Sequence, residues 1–387
     1  MSTLKVSALQ GLSASSDAIT LANDGTCTAN ITNNLSNRNK IINGAMTVSQ
    51  KYGTSSVQLS ATEYYFVDRW KNDSGSSFDM KCDASQSSEA PEGFANSMKF
   101  DCDGVSTPTG GHNGLIATFL EGQDLQDLKF GTSNAESITL SFYAKSGSQN
   151  NGHVYGVYLA AYLNGTRNSQ TKGFTVTSSW QRFTMTFAGT GTAQSTAINN
   201  DTNRGMMISF SLASGPDDKK NYSTWTADSN LSGFTGQDNF FDNTSNELYI
   251  TGVQLEVGSV ATDFEHRSYG DELARCQRYY QQIANGNTQT LGIGFAFTAT
   301  EIDVVIPFKT TMRAIPSVKQ STGTDYFAVL GGGDSNSFID GSWSIFGATT
   351  FSALIYATAS TSNATAGKAK YVRTFNANAS VAFDSEL

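Results

Sequence analysis

SITLSFYAK, residues 137–145, alternates. Ile138, Leu140, Phe142 and Ala144 fall on one side of an extended chain, with Thr139, Ser141 and Lys145 on the other, which is the period-two pattern of a half-buried strand. The period recurs on either side, from IINGAMTVSQ (41–50) onward. In WQRFTMTF (180–187) Phe183, Met185 and Phe187 form the apolar set, and in RGMMISFSL (204–212) it is Met206, Ile208, Phe210 and Leu212. ELYITGVQLE (247–256) carries Leu248 and Ile250 in one phase and Val253 and Leu255 in the other. A bulge at Gly252 is therefore expected, because an inserted residue shifts the alternation. Shorter candidates lie at 76–84, 97–102, 115–120 and 154–163. About eight to ten such strands with no helical period between them predict an all-β fold of two packed antiparallel sheets, a jelly-roll-like sandwich, and exclude a parallel α/β architecture.

One stretch breaks the pattern. ATDFEHRSYGDELARCQRYYQQ (261–282) gathers Asp263, Glu265, His266, Arg267, Asp271 and Glu272 and then turns amphipathic. Ser268 with Asp271 or Glu272 reads as a capping box, and Tyr269, Leu273, Cys276, Tyr280 and Ile283 recur three to four apart. A connector helix within 268–285 is expected, with Arg278 facing water. Catalysis by paired carboxylates needs two of them across a cleft, about 5–10 Å apart. Asp271 and Glu272 are instead explained by the helix dipole, so the cluster reads as a joint. The expected organisation is an extended N-terminal arm (1–40), the sandwich (41–267), the connector (268–285) and a small C-terminal β domain (286–387).

Composition narrows the function. The 387 residues carry 25 basic and 34 acidic side chains, a formal charge of −9, with no run of Lys or Arg. That disfavours nucleic acid, which needs a basic face. No apolar leader and no apolar run of membrane-spanning length is present, so neither standard export nor membrane insertion is expected. Cys27, Cys82, Cys102 and Cys276 form no CxxC pair and read as buried small apolar residues. The three histidines, His112, His153 and His266, stand at no ligand spacing and accompany no GxSxG, so no catalytic, cofactor or metal set is assigned. Oxygen-rich loops at 199–205, 214–221 and 236–243 leave room for a bound calcium ion. In DRW (68–70) the tryptophan reads as core beside a local Asp68–Arg69 pair. Trp225, Phe240, Phe241, Tyr326 and Phe327 stand in polar stretches out of strand phase, and are the candidate glycan contacts, since a loop aromatic can stack on a sugar ring.

Four segments then carry a family likeness. NRNKIINGAMTVSQ (37–50), YYFVDRW (64–70), ITGVQLEVGSVATDFEHRSYGDELARCQRYYQ (250–281) and IPFKTTMRAIPSV (306–318), in this order, resemble the tail-fibre and structural proteins of tailed bacteriophages. STLKVSALQ (2–10) is similar to the opening of fibre-like proteins of marine phages, cyanophage-like in type. Lys51 and Asp263 replace the arginine and proline usual there. The resemblance implies a virion protein made in the host cytoplasm and commonly trimeric. It would attach to other tail or capsid proteins through residues 1–40 and contact host surface glycans. A homotrimer meeting along 1–40 and 268–285 is expected, without enzymatic activity. The alternatives are a capsid or tail decoration or adaptor protein without receptor binding, and a glycan depolymerase.

Overall fold

The computed structural model describes residues 36–59, 65–74, 78–191, 197–227, 232–331, 333 and 336–387, with 6–10, 12, 18–21, 23 and the backbone of 27–29. Two antiparallel sheets face each other. One runs, in spatial order, Gln181–Phe187, Ile138–Ser146, Glu247–Val257, Ser97–Cys102, Cys82–Ser87 and Val57–Leu59. The other runs Thr226–Ala227, Thr166–Thr175, Val154–Leu163, Arg204–Ser214, Asn113–Glu121, Trp70–Asn72 and Tyr65–Val67. The chain repeatedly crosses between them, so the inward halves of both sheets share one core. Ile138, Leu140, Phe142, Ala144, Met206, Ile208, Phe210 and Leu212 are all buried there, and Phe142 meets Phe210 of the facing sheet edge-on at 4.9 Å. Trp70 lies in the same core, stacked on Phe210.

The bulge falls where the phase change places it. Ser141 opposes Gln254 and Tyr143 opposes Thr251, so Phe142 alone faces Gly252 and Val253. Gly252 has φ +60, and a Cβ there would stand 2.7 Å from the Phe94 ring. Both the left-handed backbone and the close approach require glycine.

Five expectations need correction. The strand sought at 76–84 spans Cys82–Ser87. Residues 41–50 form no strand: Asn43 and Met46 take positive φ, and the Asn43 amide bonds Val48 twice and Asp68 once, curling the segment. Outer faces are not simply solvated, since Thr139 and Ser141 lie under residues 258–262, with Thr139 donating to the Gly258 carbonyl (2.8 Å). Arg69 does not pair with its neighbour Asp68. Asp68 accepts from Gln50, while Arg69, at φ +71, points to the opposite side, where it pairs with Glu386. The helix spans only Tyr269–Gln277. Tyr280–Asn285 pairs instead with Ser380–Asp384, so tertiary pairing overrides the helical spacing. Its buried side is Glu272, Cys276 and Gln277, while Tyr269 is 61% exposed.

Beyond the helix a second apolar cluster forms. A seven-stranded antiparallel sheet runs Ser337–Ile339, Phe327–Leu330, Ala369–Thr374, Thr290–Ala296, Glu301–Pro307, Ser352–Thr358 and Ser344–Ala348. With a three-stranded sheet it encloses Ile302, Val304, Ile306, Phe327, Trp343, Ile355 and Phe383. At the other end Ala8–Leu9, Ile19–Leu21 and Cys27–Ala29 form a short meander that leaves Leu9 and Leu21 exposed. Cys82, Cys102 and Cys276 are free and buried; the Cys27 side chain lies outside the described residues. No described helix is long and apolar enough to cross a membrane.

Candidate functional site

The aromatics chosen from sequence do not form a binding platform. Asn239 caps a short turn, accepting from the Phe241 N–H (3.1 Å), and this folds Phe240 and Phe241 inward against Tyr155 and Phe78. Trp225 is buried edge-on against Phe130 and donates to the Ala188 carbonyl at 2.6 Å. Phe327 packs on Trp343 in the second core, with Tyr326 half-buried against it. In DNFFDN the Asn239 that suggested a solvent-facing loop serves instead as the cap that turns both rings inward. The oxygen-rich loops likewise spend their carboxylates locally. Asp201 accepts from Asn203, Asp218 from Ser232 and Asp242 from Asn246. Among the described residues no three His, Cys, Asp or Glu side chains gather.

The charged cluster is a clasp. Glu265 accepts from the Asn39 N–H (2.8 Å), and Glu272 from the Asn43 N–H (2.5 Å). Arg267 lies between the two carboxylates and donates to the carbonyls of Asn39 and Ile41. Residues 39–43 are thus sewn to the helix start. Ser268 caps the helix, accepting from the Asp271 N–H at 3.2 Å.

A second network was not legible in the sequence. Glu121, fully buried at a strand end, accepts both arms of Arg278 at 2.7 Å, the Tyr279 hydroxyl at 2.5 Å and the Gln123 amide at 2.9 Å. Arg278 therefore does not simply face water. Next to it the Arg69 guanidinium lies 3.5 Å from the Tyr279 ring centre, and Arg313 donates to the Ser385, Glu386 and Thr202 carbonyls. Burial drives the Tyr279 phenol well above its ordinary range, so it stays a hydrogen-bond donor. With Glu121 filled by donors, the cluster is an internal tie between the sandwich and the later strands.

Beside this tie a groove of ≈ 470 Å³ opens between the loop at 197–203 and the chain's last residues. Tyr162 forms its apolar wall, half-buried against Phe119, Tyr158 and Met207. Burial raises the Tyr162 pKa, opposed by Arg204 beside it. Arg204 is exposed, its guanidinium 4.2 Å from the Phe119 ring centre. Asn199 and Asn203 are exposed in the same lining, with Asp201 half-exposed. The loop is held in shape: Gly122 N–H donates to the Asn203 carbonyl and Gln123 N–H to that of Asp201, both at 2.9 Å. A half-buried phenol ringed by amides, a carboxylate and a guanidinium on fixed backbone suits a polar, hydroxyl-rich ligand with one apolar face. The sequence signal for it was NNDTNRG, read as an oxygen-rich cation loop, with Tyr162 hidden inside a strand pattern.

No family model matches the chain, and no curated protein matches it. Among solved structures it is similar to the enzymatically active domain of tailspike protein 4 of bacteriophage CBA120 (TM-score 0.30, 11% identity, over 57% of this chain and 21% of that one). It is also similar to the family 11 carbohydrate-binding module of a Clostridium thermocellum cellulosomal cellulase (TM-score 0.28, 15% identity, 56% and 99%). A third similarity is to a xylan-binding domain from Paenibacillus barcinonensis (TM-score 0.28, 9% identity, 55% and 99%). The chain spans about a fifth of the tailspike domain's length.

Proposed function

We propose that the chain is a non-enzymatic, fibre-like structural protein of a phage particle, self-associating as a homotrimer, that holds a surface glycan in the groove at Tyr162. The observation that carries the glycan assignment is the pairing of the Tyr162 face with Asn199, Asn203 and Arg204 on a loop pinned to Gly122 and Gln123. A sugar presents an apolar face to the ring and hydroxyls to the amides and guanidinium. The virion assignment rests on the four family-like segments. Weak single-site binding is sufficient in this role, since linked copies raise avidity by roughly 10²–10⁴. Cleavage is left out of the proposal because Glu265, Asp271 and Glu272 of the charged cluster and the buried Glu121 are occupied by donors of the chain itself. Attachment to the particle is assigned to residues 1–40, and a bound calcium ion has no part in the proposal.

The test is affinity electrophoresis of the full chain through gels containing a panel of bacterial surface polysaccharides. The unmodified protein should be retarded by at least one member. Tyr162→Ala and Arg204→Ala should each relieve the retardation about tenfold or more while migrating normally without polysaccharide. Undiminished retardation in both variants would move the glycan site elsewhere. No retardation by any member would favour a decoration or adaptor role.

A further inference from the structure

The outer face of the C-terminal seven-stranded sheet is apolar and uncovered. On it Phe295 opposes Asp303, Asp303 opposes Tyr356, Ile293 opposes Tyr371 and Val305 opposes Leu354, so two adjacent rows of side chains run across four neighbouring strands. Ile293 is 74% exposed and Val305 52%, and Phe346 (80%) and Phe351 (65%) stand free at the neighbouring edge strand and its turn. Soluble monomers rarely leave such a patch open. We propose that this face is the seam along which copies of the chain meet, turned toward the axis of the homotrimer.

Two observations favour a second copy over another occupant. The first is extent. With roughly 150–250 Å² carried by a large aromatic side chain, the exposed apolar part of the face is on the order of 700 Å² per chain, close to the ~800 Å² per partner of a standard interface. The second is charge. The chain carries a net −9, so identical copies repel over most of their surface, whereas these two rows hold the single carboxylate of Asp303.

Of the apolar stripe expected to form a seam along 268–285, only Tyr269 stays exposed. Cys276 is buried within the chain, and Tyr280–Asn285 is paired with Ser380–Asp384. The inference rests on the self-association put forward above, and the experiment separates the two. Light scattering on the eluting full chain at about 10 µM should give three times the chain mass for the unmodified protein. Ile293→Asp combined with Val305→Asp should reduce the mass threefold, and Val105→Asp, at a position exposed in the sandwich, should leave it unchanged. Because the added charge could disturb folding, Ile293→Cys supplies an uncharged check: mild oxidation should link copies through it, and Val105→Cys should give no such product. A trimer that survives the double substitution and fails to crosslink at Ile293 overturns the seam and leaves the trimer standing. A monomeric unmodified protein overturns both.

Discussion

Asp303 and Arg278 show how far single residues depart from their sequence appearance. In EIDVVIP the aspartate occupies an outward strand position and would pass for a solvated charge, yet its aromatic cross-strand neighbours bury it. Burial raises its pKa above the ordinary 3.8. A folded-state pKa raised in this way gives a stability cost that is absent below the unfolded value, sets in as pH rises above it and is complete once pH passes the folded one. Asp303→Asn should therefore stabilise the chain at neutral pH, because the neutral amide carries no charge to desolvate. The gain should vanish as pH falls below 3.8, and thermal melts across pH check it. Arg278 errs in the opposite sense, since a helical spacing placed it in water and the structure places it on buried Glu121. Arg278→Met should cost roughly 2–4 kcal/mol in denaturant unfolding, because it strips the strongest partner from a buried carboxylate. Adding Glu121→Gln should recover much of that loss; no recovery would mean that the ion pair is not the source.

At the scale of elements, regular alternation was readable and its interruptions were readable only where a residue type enforces them. Gly252 announced its bulge because the phase slips around a residue that tolerates positive φ. Gly252→Val should destabilise the sandwich by roughly 2–4 kcal/mol, from left-handed strain and the collision with Phe94 together. Gly252→Ala should lose slightly less, and a measured loss below ~0.5 kcal/mol would remove the bulge from its assigned role. The helix start was equally legible, since Ser268 and the acidic first turn are local signals. Its end was not. Residues 278–285 keep a helical apolar period, and only a partner a hundred residues away, Ser380–Asp384, draws them into a sheet. The same blindness to distance explains the misplaced glycan contacts. A short polar motif such as DNFFDN does not show whether its aromatics turn outward or, as here, beneath an Asn239 cap.

For the whole molecule, the sequence conveyed an all-β sandwich followed by further strands, but not the contacts between them. Arg69 reaches Glu386, 317 positions along the chain, and Tyr65 donates to the Leu387 carbonyl at 3.0 Å. The last residues therefore lie on the outer face of the sandwich and wall one side of the groove. A glycan seated there touches both parts of the molecule at once, so binding should protect residues 197–204 and 385–387 together from hydrogen exchange. The most direct measurement follows polysaccharide retention and new reducing ends in the same reaction, using the full chain and a surface polysaccharide that retards it. Retention that falls about tenfold in Tyr162→Ala, with no reducing ends released by either protein, is the expected result. Sustained release of reducing ends by the unmodified chain, or retention untouched by Tyr162→Ala and Arg204→Ala alike, would contradict a non-cleaving glycan contact at this groove.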